Sequence, residues 1–383
     1  MLKSLLPIED LTLQRFPTTK DQTLKAWNAA DEYLIEWIDD NSLNQNDKIL
    51  IINDQFGALS CSLSQFRPFY WTDSYLSKTA IQKNITLNSL DDSLQHINQC
   101  DQILPEYIKF DWVIVRIPKH NSLLNFQLRS LLPFIHSDTK ILSAGMTKEI
   151  HKSNLNLFES IIGQTTTSLA KKKARLIFTQ VNKKSDGIPK KNHPINFASR
   201  YKIKQFGLNI IGLPGVFSRD SLDRGSRILL QYMPETKPHQ KLIDLGCGTG
   251  VLGVYAAKQN PQLEVTFTDE SCLAVESAKR TFQENTGNIP FIKVTDVLDG
   301  LPNNNYDHIL CNPPFHQQNV QTLSIANRMF KESAKKLNSK GELRIVANRH
   351  LKYNPMLNQY FEKVQMISKD PKFVVWLAKQ PYP

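Results

Sequence analysis

Lys241-Leu242-Ile243-Asp244-Leu245-Gly246-Cys247-Gly248-Thr249-Gly250, running on into Val251-Leu252-Gly253-Val254-Tyr255-Ala256-Ala257, decides the fold. A short apolar run ends in three glycines at alternate positions and a helical pattern follows at once, so the order is strand, glycine turn, helix. One strand and one helix later, Val265-Thr266-Phe267-Thr268-Asp269 closes a second strand on an acid, 25 residues after Asp244. An acid at that place can accept both ribose hydroxyls of a nucleoside cofactor lying over the turn.

The glycine spacing bears on which cofactor. A dinucleotide fingerprint is Gly-x-Gly-x-x-Gly, whereas here the glycines fall at 246, 248 and 250 and the fifth residue after Gly246 is Val251. S-adenosylmethionine has no pyrophosphate to cradle, and Asp-x-Gly-x-Gly-x-Gly suits its amino-acid end. By itself the turn leaves a methyltransferase, an NAD enzyme and a purely structural turn open.

Downstream, Tyr306-Asp307-His308-Ile309-Leu310-Cys311 reads as a strand that runs straight into Asn312-Pro313-Pro314-Phe315. Two consecutive prolines stiffen the backbone where an open α/β sheet places its ligand crevice. Methylating an exocyclic amine requires its lone pair, normally delocalised into the ring, to point at the methyl donor. The Asn312 side-chain oxygen and a carbonyl of the Pro313-Pro314 backbone can each accept one amine hydrogen and so orient the nitrogen. Phe315 supplies a flat apolar face for the base, with stacking worth roughly 1–3 kcal/mol. A proline-rich loop that merely caps the strand is the bland alternative. Asp296 follows a short apolar run and is placed to accept the adenine amine of the cofactor, or to be a plain loop aspartate. Upstream, Leu222-Asp223-Arg224-Gly225-Ser226-Arg227-Ile228-Leu229-Leu230 reads as a capped helix, either the floor of the cofactor site or a docking helix. After the motif come a helix, a strand at 341–347 and two β-like runs split by Asp370-Pro371, which suit a terminal hairpin. The whole half is expected to be a doubly wound sheet of six or seven strands.

The rest of the chain sets the frame. Its 383 residues include 47 Lys plus Arg against 36 Asp plus Glu, with 40% hydrophobic and 22% charged residues, which excludes a disordered polymer and a minimal disulfide scaffold. Two domains are expected at this length. No apolar run reaches the roughly 18–20 residues of a membrane span, and acid follows the opening residues before a signal-peptide core could form. Five scattered cysteines, Cys61, Cys100, Cys247, Cys272 and Cys311, read as buried thiols in a cytoplasmic protein. Metal is not expected.

Between Lys140 and Lys204 lie fourteen Lys plus Arg and three acids, so this stretch carries 14 − 3 = +11, the net charge of the whole chain. Its densest run, Lys171-Lys172-Lys173-Ala174-Arg175, is the footprint expected for a phosphate backbone. A solvated basic linker is the alternative. Ser185-Asp186-Gly187-Ile188-Pro189 and His193-Pro194 break regular structure, which divides the chain into residues 1–182, a basic linker at 183–195, and residues 196–383.

The two halves resemble each other. Phe110-Asp111-Trp112-Val113-Ile114-Val115-Arg116-Ile117-Pro118-Lys119 lies over Tyr306 to Phe315, and Trp71-Thr72-Asp73-Ser74 over Phe267-Thr268-Asp269-Glu270. The spacing from Asp73 to Asp111 is 38 residues, as is that from Asp269 to Asp307, a register without a gap. Ile49-Leu50-Ile51-Ile52-Asn53-Asp54-Gln55-Phe56-Gly57-Ala58 takes the place of the glycine turn, and Lys140 to Gly145 that of the later strand. An ancient duplication is inferred. The N-terminal copy has lost its glycines and its amide, and is read as an RNA-docking scaffold or as a purely structural partner.

With those residues in view, the chain resembles the bacterial ribosomal RNA guanine-N2 methyltransferases, a two-domain family made by duplication, and looks most like its large-subunit branch. The likeness runs through Leu11 to Pro17, Ala29 to Leu34, Phe56 to Cys61, Lys172 to Ile177, Val216 to Arg219, Cys311 to Gln318 and Ile345 to Leu351. It implies two tandem Rossmann-like class I methyltransferase domains, the N-terminal one degenerate. It implies that Asp244, Gly246, Gly248, Gly250 and Asp269 hold S-adenosylmethionine, and that Asn312 to Phe315 present the N2 amine of one guanine in 23S rRNA, on RNA free of protein or early in assembly. A guanine inside a helix would have to be flipped out. Lys171, Lys172, Lys173 and Arg175 are the candidate RNA contacts, and a monomer is expected. Competing readings keep the chemistry but change the substrate, to a 16S rRNA guanine, a protein glutamine or an adenine. Others remove the chemistry, as a non-catalytic assembly factor, or replace it, as a dinucleotide oxidoreductase.

Overall fold

The computed structural model describes residues 5–18, 21, 23–41, 43–90, 94–98, 108–182, 194–314 and 320–382. They fall into two compact units, Met1–Phe197 and Ala198–Pro383. The linker expected at 183–195 lies outside the described residues as far as 193, and its last two residues open a short 3-10 turn, Pro194–Phe197.

In the N-terminal unit, Ile49-Leu50-Ile51-Ile52 is apolar at every position, the pattern of a strand covered on both faces. It forms β1 (Ile49–Ile52), inside a sheet with β2 (Phe69–Thr72), β3 (Gln95–Asn98), β4 (Trp112–Arg116), β5 (Lys140–Met146), β6 (Thr165–Thr167) and β7 (Ala174–Gln180). Their spatial order is β3-β2-β1-β4-β5-β7-β6, parallel except for β7, which runs against both neighbours. Around the sheet lie α1 (Ala29–Asp40), α2 (Ala58–Ser62), α3 (Tyr75–Leu87), α4 (Asn121–Leu131) and α5 (Lys152–Ile161). Because side chains alternate along a strand, Ile49 and Ile51 enter one apolar layer with Leu34 and Ile38 of α1. Leu50 and Ile52 enter the other, with Leu124 of α4 and Phe158 of α5.

The C-terminal unit opens with a hairpin, β8 (Ser199–Ile203) and β9 (Leu208–Gly212), then α6 (Arg224–Leu229). Its own seven-stranded sheet comprises β10 (Lys241–Leu245), β11 (Glu264–Asp269), β12 (Phe291–Val294), β13 (Tyr306–Cys311), β14 (Leu337–Asn348), β15 (Phe361–Met366) and β16 (Phe373–Pro381), with α7 (Val251–Gln259), α8 (Cys272–Thr286), α9 (Val320–Lys336) and α10 (Tyr353–Leu357). The order is β12-β11-β10-β13-β14-β16-β15, position for position that of the first unit. The terminal hairpin is the antiparallel pair β15 and β16. Leu242 joins Val254 of α7 and Ala278 of α8 in one layer, while Ile243 and Leu245 join Phe330 of α9 in the other.

This order places the site. The chain leaves β10 outward through β11 and β12, then returns on the other side as β13, so the carboxyl ends of β10 and β13 flank a topological switch point. Leu245 pairs with Cys311. Gly246 and Asn312, the residues that follow them, therefore emerge side by side.

The ladders fix how the copies correspond. The Lys48 N–H donates to Asp111 Oδ2 at 2.8 Å and the Lys241 N–H to Asp307 Oδ2 at 2.8 Å. Nine residues further on, Gly57 and Gly250 stand at the N-caps of α2 and α7, with φ of 92° and 78°. Strand pairing from these anchors corrects one part of the sequence alignment. Ile52 pairs with Trp71, and Leu245 pairs with Thr268, so Thr72, not Asp73, stands where Asp269 stands. The helix caps agree, since Ser74 and Ser271 each bind the third N–H of the next helix. Equal spacing to Asp111 and Asp307 misleads because one extra residue is absorbed between β2 and β4, away from both anchors.

Cys61, Cys247 and Cys311 are buried thiols as expected, whereas Cys272 is only half-buried, at the start of α8; Cys100 lies outside the described residues. Among the described residues no helix is long and apolar enough to cross a membrane.

Candidate active site

The three glycines after β10 have φ of 67°, 52° and 78°, a region that side chains rarely adopt. The turn is pinned to the next strand, with the Gly246 and Cys247 N–H groups donating to the Thr268 carbonyl at 2.9 and 3.0 Å. A Cβ on Gly250 would lie 2.7 Å from Ala278 Cβ, so this glycine also lets α7 lie close against α8. Gly248 differs: among the described residues a Cβ there would meet nothing nearer than the Phe217 carbonyl at 3.5 Å.

Asp269 ends β11 as the sequence requires. Its Oδ2 accepts the Gly248 N–H at 3.0 Å and its Oδ1 the Ser271 N–H at 3.0 Å, so the carboxylate ties the glycine turn to the start of α8. Asp244 lies beneath the turn instead of facing it. It is 1% exposed, and its Oδ2 accepts the Gly253 N–H in the first turn of α7 at 2.9 Å. Burial pushes its carboxyl up to about 7, against the opposing pull of the Gly253 hydrogen bond. Asp296 is also buried and pairs with Arg328 of α9. Burial raises its carboxyl and the guanidinium works against that. Sequence reading missed Arg328, because a partner 32 residues away in α9 leaves no local signal.

Asn312 is the pivot of the site. Its Nδ2 donates to Asp223 Oδ1 at 3.1 Å and to Ser226 Oγ at 3.0 Å, while its Oδ1 is buried with no hydrogen-bond partner among the described residues. A carboxylate only accepts, so Asp223 selects the nitrogen side of the amide. Asp223 is readable in the sequence as the cap of α6, where its Oδ1 accepts the Ser226 N–H at 2.9 Å. Its contact with Asn312 is not. Pro313 is buried and Pro314 exposed; Phe315 lies outside the described residues. Asp244, Gly246, Gly248, Gly250, Asp269, Asn312, Pro313 and Pro314 thus gather at the carboxyl ends of β10, β11 and β13, with Asp296 just beyond β12.

The basic run lies in the N-terminal unit, at the turn from β6 into β7. It is less free than its composition suggests: Lys171 pairs with Glu36 and Lys172 with Glu32 at 2.9 Å, both acids on α1. Lys173 is exposed with φ of 63°, and Arg175 is half-buried on β7. Among the described residues no cluster of His, Cys, Asp and Glu could hold a metal ion.

Comparison with known proteins agrees with this layout. Residues 1–183 match the family described as RLMG N-terminal domain, and residues 207–377 match the methyltransferase small domain. The Ribosomal RNA large subunit methyltransferase G of Photobacterium profundum is 38% identical over 98% of this chain and 99% of its own length. The protein of the same name from Psychromonas ingrahamii is 39% identical over 97% of each. Among solved structures, the T. thermophilus 16S rRNA N2 G1207 methyltransferase in complex with AdoMet and guanosine shares the fold, with a TM-score of 0.69 at 20% identity over 89% of this chain and 90% of that one. With matched domains in both halves and relatives similar along almost the whole length, the chain belongs to the ribosomal RNA large subunit methyltransferase G family.

Proposed function

We propose that this rRNA methyltransferase transfers a methyl group from S-adenosylmethionine to the exocyclic N2 amine of one guanine in 23S ribosomal RNA, acting on RNA that is free of protein or early in assembly. Membership of the family makes the reaction methyl transfer to rRNA with S-adenosylmethionine as donor; the amine, the base and the stage are our reading. One observation carries it. The buried, unpartnered Asn312 Oδ1 stands beside the glycine turn at the switch point, and a buried acceptor with nothing to accept is costly unless a donor arrives.

The residues suit the cofactor. Asp269 ends β11 and holds the glycine turn through the Gly248 N–H, a Cβ on Gly248 would meet no described atom nearer than 3.5 Å, and Asp296 follows β12 at the same end of the sheet. When bound, S-adenosylmethionine supplies an electrophilic methyl group on a sulfonium. The protein's part is orientation. Asn312 Oδ1 accepts one N2 hydrogen and a carbonyl of the Pro313-Pro314 backbone accepts the other, which holds the nitrogen so that its lone pair can localise and face the methyl donor. No strong base is required, because the nitrogen becomes acidic once it carries the extra methyl group and gives its proton to water. Phe315 is assigned the stacking face for a flipped base. The N-terminal unit, with Lys171, Lys172, Lys173 and Arg175, is assigned to RNA docking. The solved relative whose title names guanosine and AdoMet is consistent with this chemistry on this fold.

The test is to incubate the purified protein with radiolabelled S-adenosylmethionine and protein-free 23S or 16S rRNA from cells lacking the enzyme, then identify the labelled nucleoside. N2-methylguanosine from 23S rRNA alone, abolished by Asn312→Ala, is the expected result. Label in 16S rRNA alone, or in another nucleoside, overturns the substrate.

A further inference from the structure

We propose that the first turn of α6 is a socket that orients the Asn312 amide, with Asp223, Gly225 and Ser226 as positioning residues for methyl transfer. The inference rests on the amine-orienting role assigned to Asn312 above.

An asparagine amide has two N–H donors on one side and an acceptor oxygen on the other. A half-turn exchanges them, and with them the ability to receive an amine. Here both donors are used on α6, at Asp223 Oδ1 (3.1 Å) and Ser226 Oγ (3.0 Å). Filling both fixes the plane of the amide as well as its sense, and no described residue donates to Oδ1. The acceptors are themselves held. Asp223 Oδ1 also takes the Ser226 N–H at 2.9 Å, Asp223 Oδ2 takes the Ser218 hydroxyl at 2.9 Å, and the Ser218 carbonyl takes the Tyr201 hydroxyl at 3.0 Å.

Gly225 is the second, independent sign. Its φ is an ordinary helical one, absent from the positive set, so the backbone does not demand glycine. A Cβ there would lie 3.2 Å from Asn312 Oδ1, 3.4 Å from Asn312 Nδ2 and 3.1 Å from Asp223 Oδ1. A side chain there would press on the amide and its acceptor, which would have to give by a few tenths of an ångström.

The N-terminal copy supplies the contrast. There α1 packs on β5 and β7 as α6 packs on β14 and β16, the matching strands. Its cap Asn28 corresponds to Asp223, so Ala30 corresponds to Gly225 and Asp31 to Ser226. The side chain that reaches into that turn is Arg116, paired with Asp31 and 3.4 Å from Asn28 Oδ1. Where no amide has to be oriented, an alanine with no exposed surface fits at the position that is glycine in the catalytic copy. The turn and its two acceptors are inherited architecture, and the glycine is what the amide adds to it.

The test uses the full-length protein and the variants Gly225→Ala, Ser226→Ala, Asp223→Ala and Asp223→Asn, with three readouts. Single-turnover methyl transfer at saturating RNA and S-adenosylmethionine is expected to fall roughly tenfold to hundredfold in Gly225→Ala and Ser226→Ala, the scale on which small misplacements act. Dissociation constants for S-adenosylmethionine and RNA should stay within about twofold of the wild type, a split that simple loss of folding would not give. Asp223→Asn keeps a capping oxygen in the same place and should recover most of what Asp223→Ala loses. The third readout needs no substrate: the Asn312 side-chain amide protons, observed by NMR with asparagine labelling, should exchange slowly in the wild type and fast in Ser226→Ala. Full turnover in folded Gly225→Ala and Ser226→Ala, cofactor binding that falls in step with turnover, or unchanged amide exchange each overturns the socket. A wild type that labels an amine other than guanine N2 overturns the substrate reading instead and leaves the comparison among variants valid on that amine.

Discussion

Arg116 stands in the N-terminal unit where Asn312 stands in the C-terminal unit, each five residues after the aspartate, Asp111 or Asp307, that receives the Lys48 or Lys241 N–H where the neighbouring strand begins. Both side chains turn back to the capped first turn of the matching helix. An amide with a spare acceptor has become a guanidinium, which has none. The fold persists across that exchange, and the strand end carries an ion pair in place of a buried, unpartnered acceptor.

Arg116→Ala is therefore expected to act on stability and not on chemistry. The Arg116 and Asp31 side chains are 12% and 10% exposed, so removing the guanidinium strands a buried carboxylate. Breaking such a pair costs about 3–5 kcal/mol. Chemical denaturation should show that loss in the transition of the N-terminal unit, and replacing Asp31 as well with an apolar residue should recover much of it. A loss below about 1 kcal/mol would mean that water reaches Asp31 in the variant. Methyl transfer per folded molecule should match the wild type.

Asp269→Ala should weaken cofactor binding specifically. The carboxylate holds the Gly248 N–H and the Ser271 N–H and is the acid proposed to bind the ribose. Hydrogen bonds to a charged group contribute about 1.5–3 kcal/mol, so calorimetric titration with S-adenosylmethionine should show a Kd raised roughly tenfold to hundredfold. Binding within twofold of the wild type would remove Asp269 from the cofactor site.

What could be read from the sequence was what is local. The glycine turn, the acid ending β11 and the Asn-Pro-Pro run each announce themselves within a few residues, because backbone conformation and strand ends are set by near neighbours. The partners of Asn312 and Asp296 were hidden, since Asp223 lies 89 residues before the first and Arg328 lies 32 after the second. Only packing brings them together. The duplication was legible from the paired strand ends, yet equal spacing put Asp73 where the ladder puts Thr72. Charge was the least legible: Lys171 and Lys172 read as an open patch until α1 brings Glu36 and Glu32 to them.

Those ion pairs rank the basic residues. Lys173 offers its charge to solvent, whereas Lys171 and Lys172 face acids on α1. Lys173→Ala should lower affinity for 23S rRNA and reduce the slope of log K against log salt by about one, as expected for one phosphate contact. Lys171→Ala should do less, and Glu36→Gln should strengthen binding by releasing the ammonium. Filter binding between 50 and 200 mM salt checks the order. Equal effects of Lys171→Ala and Lys173→Ala would show that RNA strips the lysine from its acid at no cost.

Asp244 and Asp54 give the two units a shared pH dependence. Counted from the ladder anchors, Ser60 corresponds to Gly253, and each N–H is taken by a buried carboxylate from a different place in the chain: Asp54 Oδ2 at 2.8 Å in one unit, Asp244 Oδ2 at 2.9 Å in the other. Burial raises both, Asp54 from 3.8 to about 6 and Asp244 from 3.8 to about 7. A carboxyl that is raised on folding binds its proton more tightly in the native state, so its contribution to stability is complete below the unfolded value and is lost as pH climbs through the folded one. From pH 3.8 to about 7 the C-terminal unit should therefore lose stability through Asp244, and from 3.8 to about 6 the N-terminal unit through Asp54. Asn at position 244 cannot ionise and keeps an oxygen for the Gly253 N–H. The melting temperature of Asp244→Asn minus that of the wild type should rise across this window and level off above it, by an amount on the order of a few kcal/mol in stability. A flat difference would show that Asp244 titrates like an exposed carboxylate, which would require water beneath the glycine turn and a less rigid cradle for the cofactor.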